Sequence, residues 1–139
     1  MLTPTTLQPG EEYASVDAIL ACSDLAEAIV RVPHWKRNGA QLALRVRALS
    51  LEQRDRILQE SRRRDGTTDE VAQICATIRE GCLLPRFTAP QAAQLRTKNP
   101  TALELVAKFI WALSALDQDL IDATIQALTG AEPAPDDGT

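Results

Sequence analysis

Few side chains in this chain have the types that chemistry draws on. His34 is the sole histidine, Cys22, Cys75 and Cys82 are the thiols, and Asp117, Asp119 and Asp122 form one close carboxylate group. A histidine acts as a general base when a nucleophile stands within hydrogen-bond reach and a third group orients it. His34 follows Pro33 and precedes Trp35 in a stretch that reads as a hairpin loop, with no such partner legible nearby. A structural zinc site takes four cysteine or histidine ligands, usually in closely spaced pairs. Three unpaired cysteines and one histidine do not supply it, and the thiols read as small buried apolar residues, Cys75 and Cys82 on one helix face. The three aspartates have a spacing that suits a cation, but they stand where a helix begins, and there carboxylates cap and offset the helix dipole. The six glycines fall at turns and element ends, so neither a phosphate-cradling loop nor a dinucleotide fingerprint is present. The expectation is a non-enzymatic binding protein with no catalytic, metal-binding or cofactor-binding residues.

Charge is the next feature that could recognise a partner. The net charge of −4 conceals an acidic, basic, acidic order: residues 1–30 hold five acids and no base, residues 31–64 ten bases and three acids, and residues 99–139 one base and seven acids. Arg45, Arg47, Arg54, Arg56, Arg62, Arg63 and Arg64 could touch phosphates, and binding of that kind would weaken steeply with salt. Acids interleave with them and no recognition-helix pattern accompanies them, so a solvated or protein-facing basic surface ranks above a nucleic-acid interface.

Trp111 is the most informative single residue. At 100° per residue it shares an arc with Glu104, Lys108 and Ala115, opposite the stripe formed by Leu103, Val106, Ile110 and Leu113. A tryptophan on a polar arc is either covered by another element or displayed as a partner's anchor. The candidate partner-binding set is Trp111, Phe109, Leu105, Leu116, Leu120, Ile121, Ile125 and Trp35, with a helix-in-groove contact built on Trp111, Phe109 and the face of Leu120, Ile121 and Ile125.

The elements that must position these residues follow from capping and periodicity. Ser15 caps a short helix through Val16, Ile19 and Leu20. Leu42, Leu44, Val46 and Ala48 alternate with polar neighbours, a half-buried strand, and Ile29–Pro33 is its partner across a loop His34–Gly39 whose Asn38-Gly39 pair suits a tight hairpin turn. Pro33 belongs at a strand end or an edge. Ser50 and Gln53 form a capping box for a helix reaching about Arg64, supported by Glu52/Arg56 and Glu60/Arg64 pairs and closed at Gly66, with Leu51 and Leu58, flanked by Ile57, as its apolar line. A helix from about Asp69 to Gly81 carries Val71, Ile74, Cys75, Ile78 and Cys82 as a core stripe, and Cys82–Phe87 reads as an apolar connector. Thr88 and Gln91 open a short helix. Asn99 followed by Pro100 starts the most apolar one, to Leu116, and Asp117 caps a last helix closed by Gly130.

The expected architecture is mainly α (α+β): a bundle of about five helices with one N-terminal β-hairpin at about residues 28–49. A flexible leader (1–14), a single domain (15–130) and a disordered acidic tail (131–139) complete it. At 139 residues, 45% of them apolar, one core is the default, and no apolar run approaches the roughly 20 residues that span a bilayer. The N-terminus has no basic or apolar stretch of signal type, so a cytoplasmic location without membrane contact is expected.

From Ser15 to Gly130 the order of pieces resembles the tail assembly chaperones of long-tailed bacteriophages. The pieces are Ser15-Val16-Asp17-Ala18-Ile19-Leu20, Val30-Arg31-Val32-Pro33-His34-Trp35, Leu44-Arg45-Val46-Arg47-Ala48-Leu49-Ser50, Arg54-Asp55, Phe87-Thr88-Ala89-Pro90 and Leu113-Ser114-Ala115-Leu116-Asp117. Lys36-Arg37-Asn38-Gly39 departs from the glycine pair such proteins often carry after the tryptophan, and the basic run Arg62–Arg64 is also foreign to them. The resemblance implies a helper in the host cytoplasm that binds the tape measure protein, keeps its apolar helices soluble and presents it to tail tube protein. It implies absence from the finished virion, and many such proteins have a second, longer form made by frameshifting. A homo-oligomer is compatible with that role. Two other readings stay open: a structural tail component such as a completion or connector protein, and a nucleic-acid-binding regulator using the basic segment.

Overall fold

The computed structural model describes residues 6–115 and 118–130. Among them the chain forms six helices and a three-stranded antiparallel sheet of order β1-β2-β3, an α+β fold dominated by helix. The first helix, α1 (Val16–Ala21), is capped by Ser15, whose hydroxyl accepts the Ala18 N–H at 3.1 Å. The hairpin follows as β1 (Glu27–Arg37) and β2 (Ala40–Arg47). Asn38 and Gly39 alone make its turn, with φ of 52° and 78°, the left-handed values a two-residue turn of this hand demands. His34–Arg37 therefore belong to the strand rather than to the loop expected from sequence. β1 is an edge strand, and its register slips between Arg31 and Lys36, where Pro33 has no N–H to give. The Gln41 amide fills that gap by donating to the Val32 and Trp35 carbonyls.

The second helix, α2 (Leu51–Glu60), has the expected capping box, Gln53 N–H to Ser50 Oγ at 3.2 Å and Ser50 N–H to Gln53 Oε1 at 3.0 Å. It ends four residues earlier than expected, because Ser61 turns the chain into a tight loop closed by an Arg62–Thr68 bridge. Arg64 thus leaves the helix, and Glu60 pairs with Arg79 at 2.7 Å instead. Its anchor also differs: Ile57 is fully buried, whereas Leu51 is 80% exposed and Leu58 is exposed.

Asp69 caps α3 (Glu70–Gly81), which the next residues continue as a short strand, β3 (Cys82–Leu84). That strand was expected as a mere connector; it pairs with β2 through Arg45–Leu84 and Val46–Cys82. Thr88 and Gln91 cap α4 (Ala89–Gln94), which runs into a 3-10 turn at Leu95–Thr97. Asn99 Oδ1 accepts the Thr101 and Ala102 N–H groups at the start of α5 (Pro100–Ala115), and α6 (Gln118–Gly130) follows. The expected Asp117 cap and the tail 131–139 lie outside the described residues.

The core lies between the inner face of the sheet and α5. Val30, Val32, Leu44 and Val46 meet Val106, Phe109, Ile110 and Leu113, and Ile78 and Cys75 of α3 close the same cluster. Half of α5's sixteen residues are buried, so it needs neighbours on several sides, as its two apolar stripes require. Gly81 makes the closest helix approach possible: a Cβ there would stand 2.7 Å from Cγ2 of Ile110. Ser114 ties α5 to the link between β2 and α2 by accepting the Leu49 N–H at 2.7 Å while donating to the Ile110 carbonyl.

Candidate functional site

The chemical candidates are scattered. His34 is exposed on β1, and the groove beside it is lined by Lys36, Lys98 and Asn99, without a carboxylate or thiol. Cys75 and Cys82 are buried; burial raises the Cys75 thiol and pushes Cys82 to about 11, which holds both protonated. Cys22, expected to be buried with them, is exposed at the end of α1, a helix that buries none of its residues. Asp119 and Asp122 are exposed on α6, and among the described residues no group of three histidine, cysteine, aspartate or glutamate side chains could hold a metal ion.

Much of the basic segment is engaged within the chain. Arg45 pairs with Glu27 at 2.7 Å and Arg56 with Glu80 at 2.7 Å, while Arg79 reaches Glu60 and Glu80, so α2 and α3 are joined by a four-charge network. The Glu60 carboxylate, more than any other contact, keeps the Arg79 guanidinium firmly charged. Arg63 donates to the Thr68 carbonyl, and Arg54 lies over the Trp111 ring, 5.6 Å from its centroid.

Trp111 is half-covered. Its indole N–H donates to Thr77 Oγ1 at 3.0 Å, and the fully buried Thr77 hydroxyl in turn donates a hydrogen bond to the Gln73 carbonyl at 2.7 Å. The ring is thereby fixed as one wall of a trough of about 460 Å³ between α3 and α5, with Val71, Ile74 and Ala107 as its apolar lining and Glu70, Glu104 and Lys108 at its edge. Comparison with family models, curated proteins and solved structures finds no match to this chain. Its surfaces have to be read on their own chemistry.

Two other concavities hold Trp35, Phe109 and Ile125 of the remaining candidates. Trp35 lines a groove of about 720 Å³, where the turn end of the hairpin faces Pro85, Phe87 and Leu95. Ile125 and Phe109 line a recess of about 240 Å³ against Ile29 and Arg31 of β1. Of the residues expected to build one helix-in-groove contact, Phe109 and Ile125 share this recess, whereas Trp111 lines the trough between α3 and α5. Two residues apart on α5, Trp111 and Phe109 point about 160° apart around the helix axis, and Phe109, 2% exposed, is core. Leu105 is half-buried against the core. Leu116 and the side chains of Leu120 and Ile121 lie outside the described residues. Sequence reasoning missed Val71 and Ile74 as trough residues, since helical spacing marks them as a core stripe, and missed Phe87 and Leu95, whose only signal is apolar character in a short connector and turn.

Proposed function

We propose that the protein is a non-enzymatic tail assembly chaperone of a long-tailed bacteriophage. It binds the tape measure protein, keeps that client soluble and helps recruit tail tube protein in the host cytoplasm. The observation that carries this reading is the trough between α3 and α5: an apolar channel with a rigidly hydrogen-bonded tryptophan and charges of both signs at its edge. Such a channel suits the apolar stripe of a helical client, laid in as residues spaced three and four apart. The order of sequence pieces from Ser15 to Gly130 supplies the identity of the client.

The reading is tested by co-expressing the chain with a tape-measure-type coiled-coil client and measuring how much client stays in the supernatant. Val71 is exposed at the trough, so Val71→Asp disturbs the channel without opening the core. This variant and Trp111→Ala should each weaken capture, the second by about thirtyfold if Trp111 contributes the roughly 2 kcal/mol of an interface anchor. Client solubility equal with parent and both variants would overturn the assignment of the trough. Mass spectrometry of purified particles separates a chaperone, which leaves, from a structural tail component, which stays.

A further inference from the structure

The N-terminal arm has an apolar surface and no seat. Every described residue from 6 to 24 is exposed, and α1 buries none of its side chains. Val16, Ile19 and Leu20 nevertheless share one helix face, at 72%, 60% and 78% exposure, and Tyr13 precedes them at 76%. A six-residue helix does not persist in water on local interactions alone, so its capped form calls for a surface to lie on. The arm is also acidic: Glu11, Glu12, Asp17 and Asp24 occur in it with no base before Arg31.

The groove of about 720 Å³ beside Trp35 has the complementary character. Its lining includes Trp35, Leu42, Pro85, Phe87 and Leu95, and its charged residues are Lys36 and Lys98, with His34 beside them and no acid. We infer that the acidic apolar arm of one copy docks in this basic apolar groove of a second copy, so that the chain self-associates by arm exchange. Within its own chain the arm leaves this groove empty, since every described residue from 6 to 24 is exposed. This surface is separate from the trough assigned to the client, and the two assignments stand or fall independently.

Sedimentation velocity of the full chain over a range of concentrations tests the inference. The parent should exceed monomer mass, and its association should weaken as salt is added. The double variant Ile19→Asp, Leu20→Asp touches no core residue and should weaken self-association by about a hundredfold or more, with an unchanged melting curve. Lys36→Glu with Lys98→Glu should do the same, and adding Glu11→Lys, Glu12→Lys and Asp17→Lys to that groove variant should restore association. A parent that is monomeric throughout, or an oligomer indifferent to the arm variant, would overturn arm exchange. So would loss of client capture by the groove variant in a chain that never self-associates, which would make the groove a client site. Client capture retained by the arm variant leaves the trough assignment intact whatever the sedimentation result.

Discussion

The indole N–H of Trp111 donates to the hydroxyl of Thr77 across 3.0 Å, joining the middle of α5 to the middle of α3. Thr77 is itself spent on the Gln73 carbonyl, so the pair forms a short relay in which each donor has one acceptor. A tryptophan on the polar arc of its helix is thus neither idle nor freely displayed: one edge is bonded, one face lies under Arg54, and part of the ring lines an open trough.

Thr77→Val tests that relay. Valine nearly fills the same space but accepts no hydrogen bond, leaving the indole N–H without its partner. We expect a loss of about 1 kcal/mol in urea unfolding. Trp111→Phe should remove most of the penalty of the Thr77 change, because no donor is then orphaned. A Thr77→Val protein as stable as the parent would show that the bond carries no net energy.

Gly81 against Ile110 is a second testable contact. Alanine at 81 would place its Cβ 2.7 Å from Cγ2 and 2.9 Å from Cδ1 of a fully buried, β-branched side chain that has little rotamer freedom in a helix. We expect Gly81→Ala to destabilise by about 1–3 kcal/mol despite alanine's better helix propensity. Combined with Ile110→Ala, which removes the opposing atoms, the Gly81 change should cost much less. Additive losses in thermal melts would place the strain elsewhere.

The thiols divide by burial. A thiol reagent at neutral pH should modify Cys22 quickly and reach Cys75 and Cys82 only on unfolding, as mass mapping would show. Burial raises Cys82 from its ordinary 9.0 to about 11. The unfolded chain therefore releases this proton first as pH rises. The stability it confers is complete below pH 9.0 and is lost between 9.0 and about 11. The loss is on the order of 2 kcal/mol, and a Cys82→Ala variant should lack that part of the alkaline decline. Parallel declines for parent and variant would contradict the burial account.

Local chemistry was legible without the fold. The caps at Ser15, Ser50, Thr88 and Asn99 each satisfy N–H groups two or three residues away, and the Asn38-Gly39 turn needs only its own two φ angles. Interactions of that range are written in adjacent residues, so element starts, the hairpin and the mainly helical α+β class followed from them. Other features depend on what stands opposite in space. Strand β3 exists because β2 offers it an open edge, since three residues have no period of their own. Ile57 rather than Leu51 anchors α2, and Glu60 finds Arg79 rather than Arg64, because α3 lies on that side. The separation of Trp111, Phe109 and Trp35 into three concavities has the same origin: a helix wheel ranks faces by polarity, but only packing decides which neighbour covers each face and which is left open.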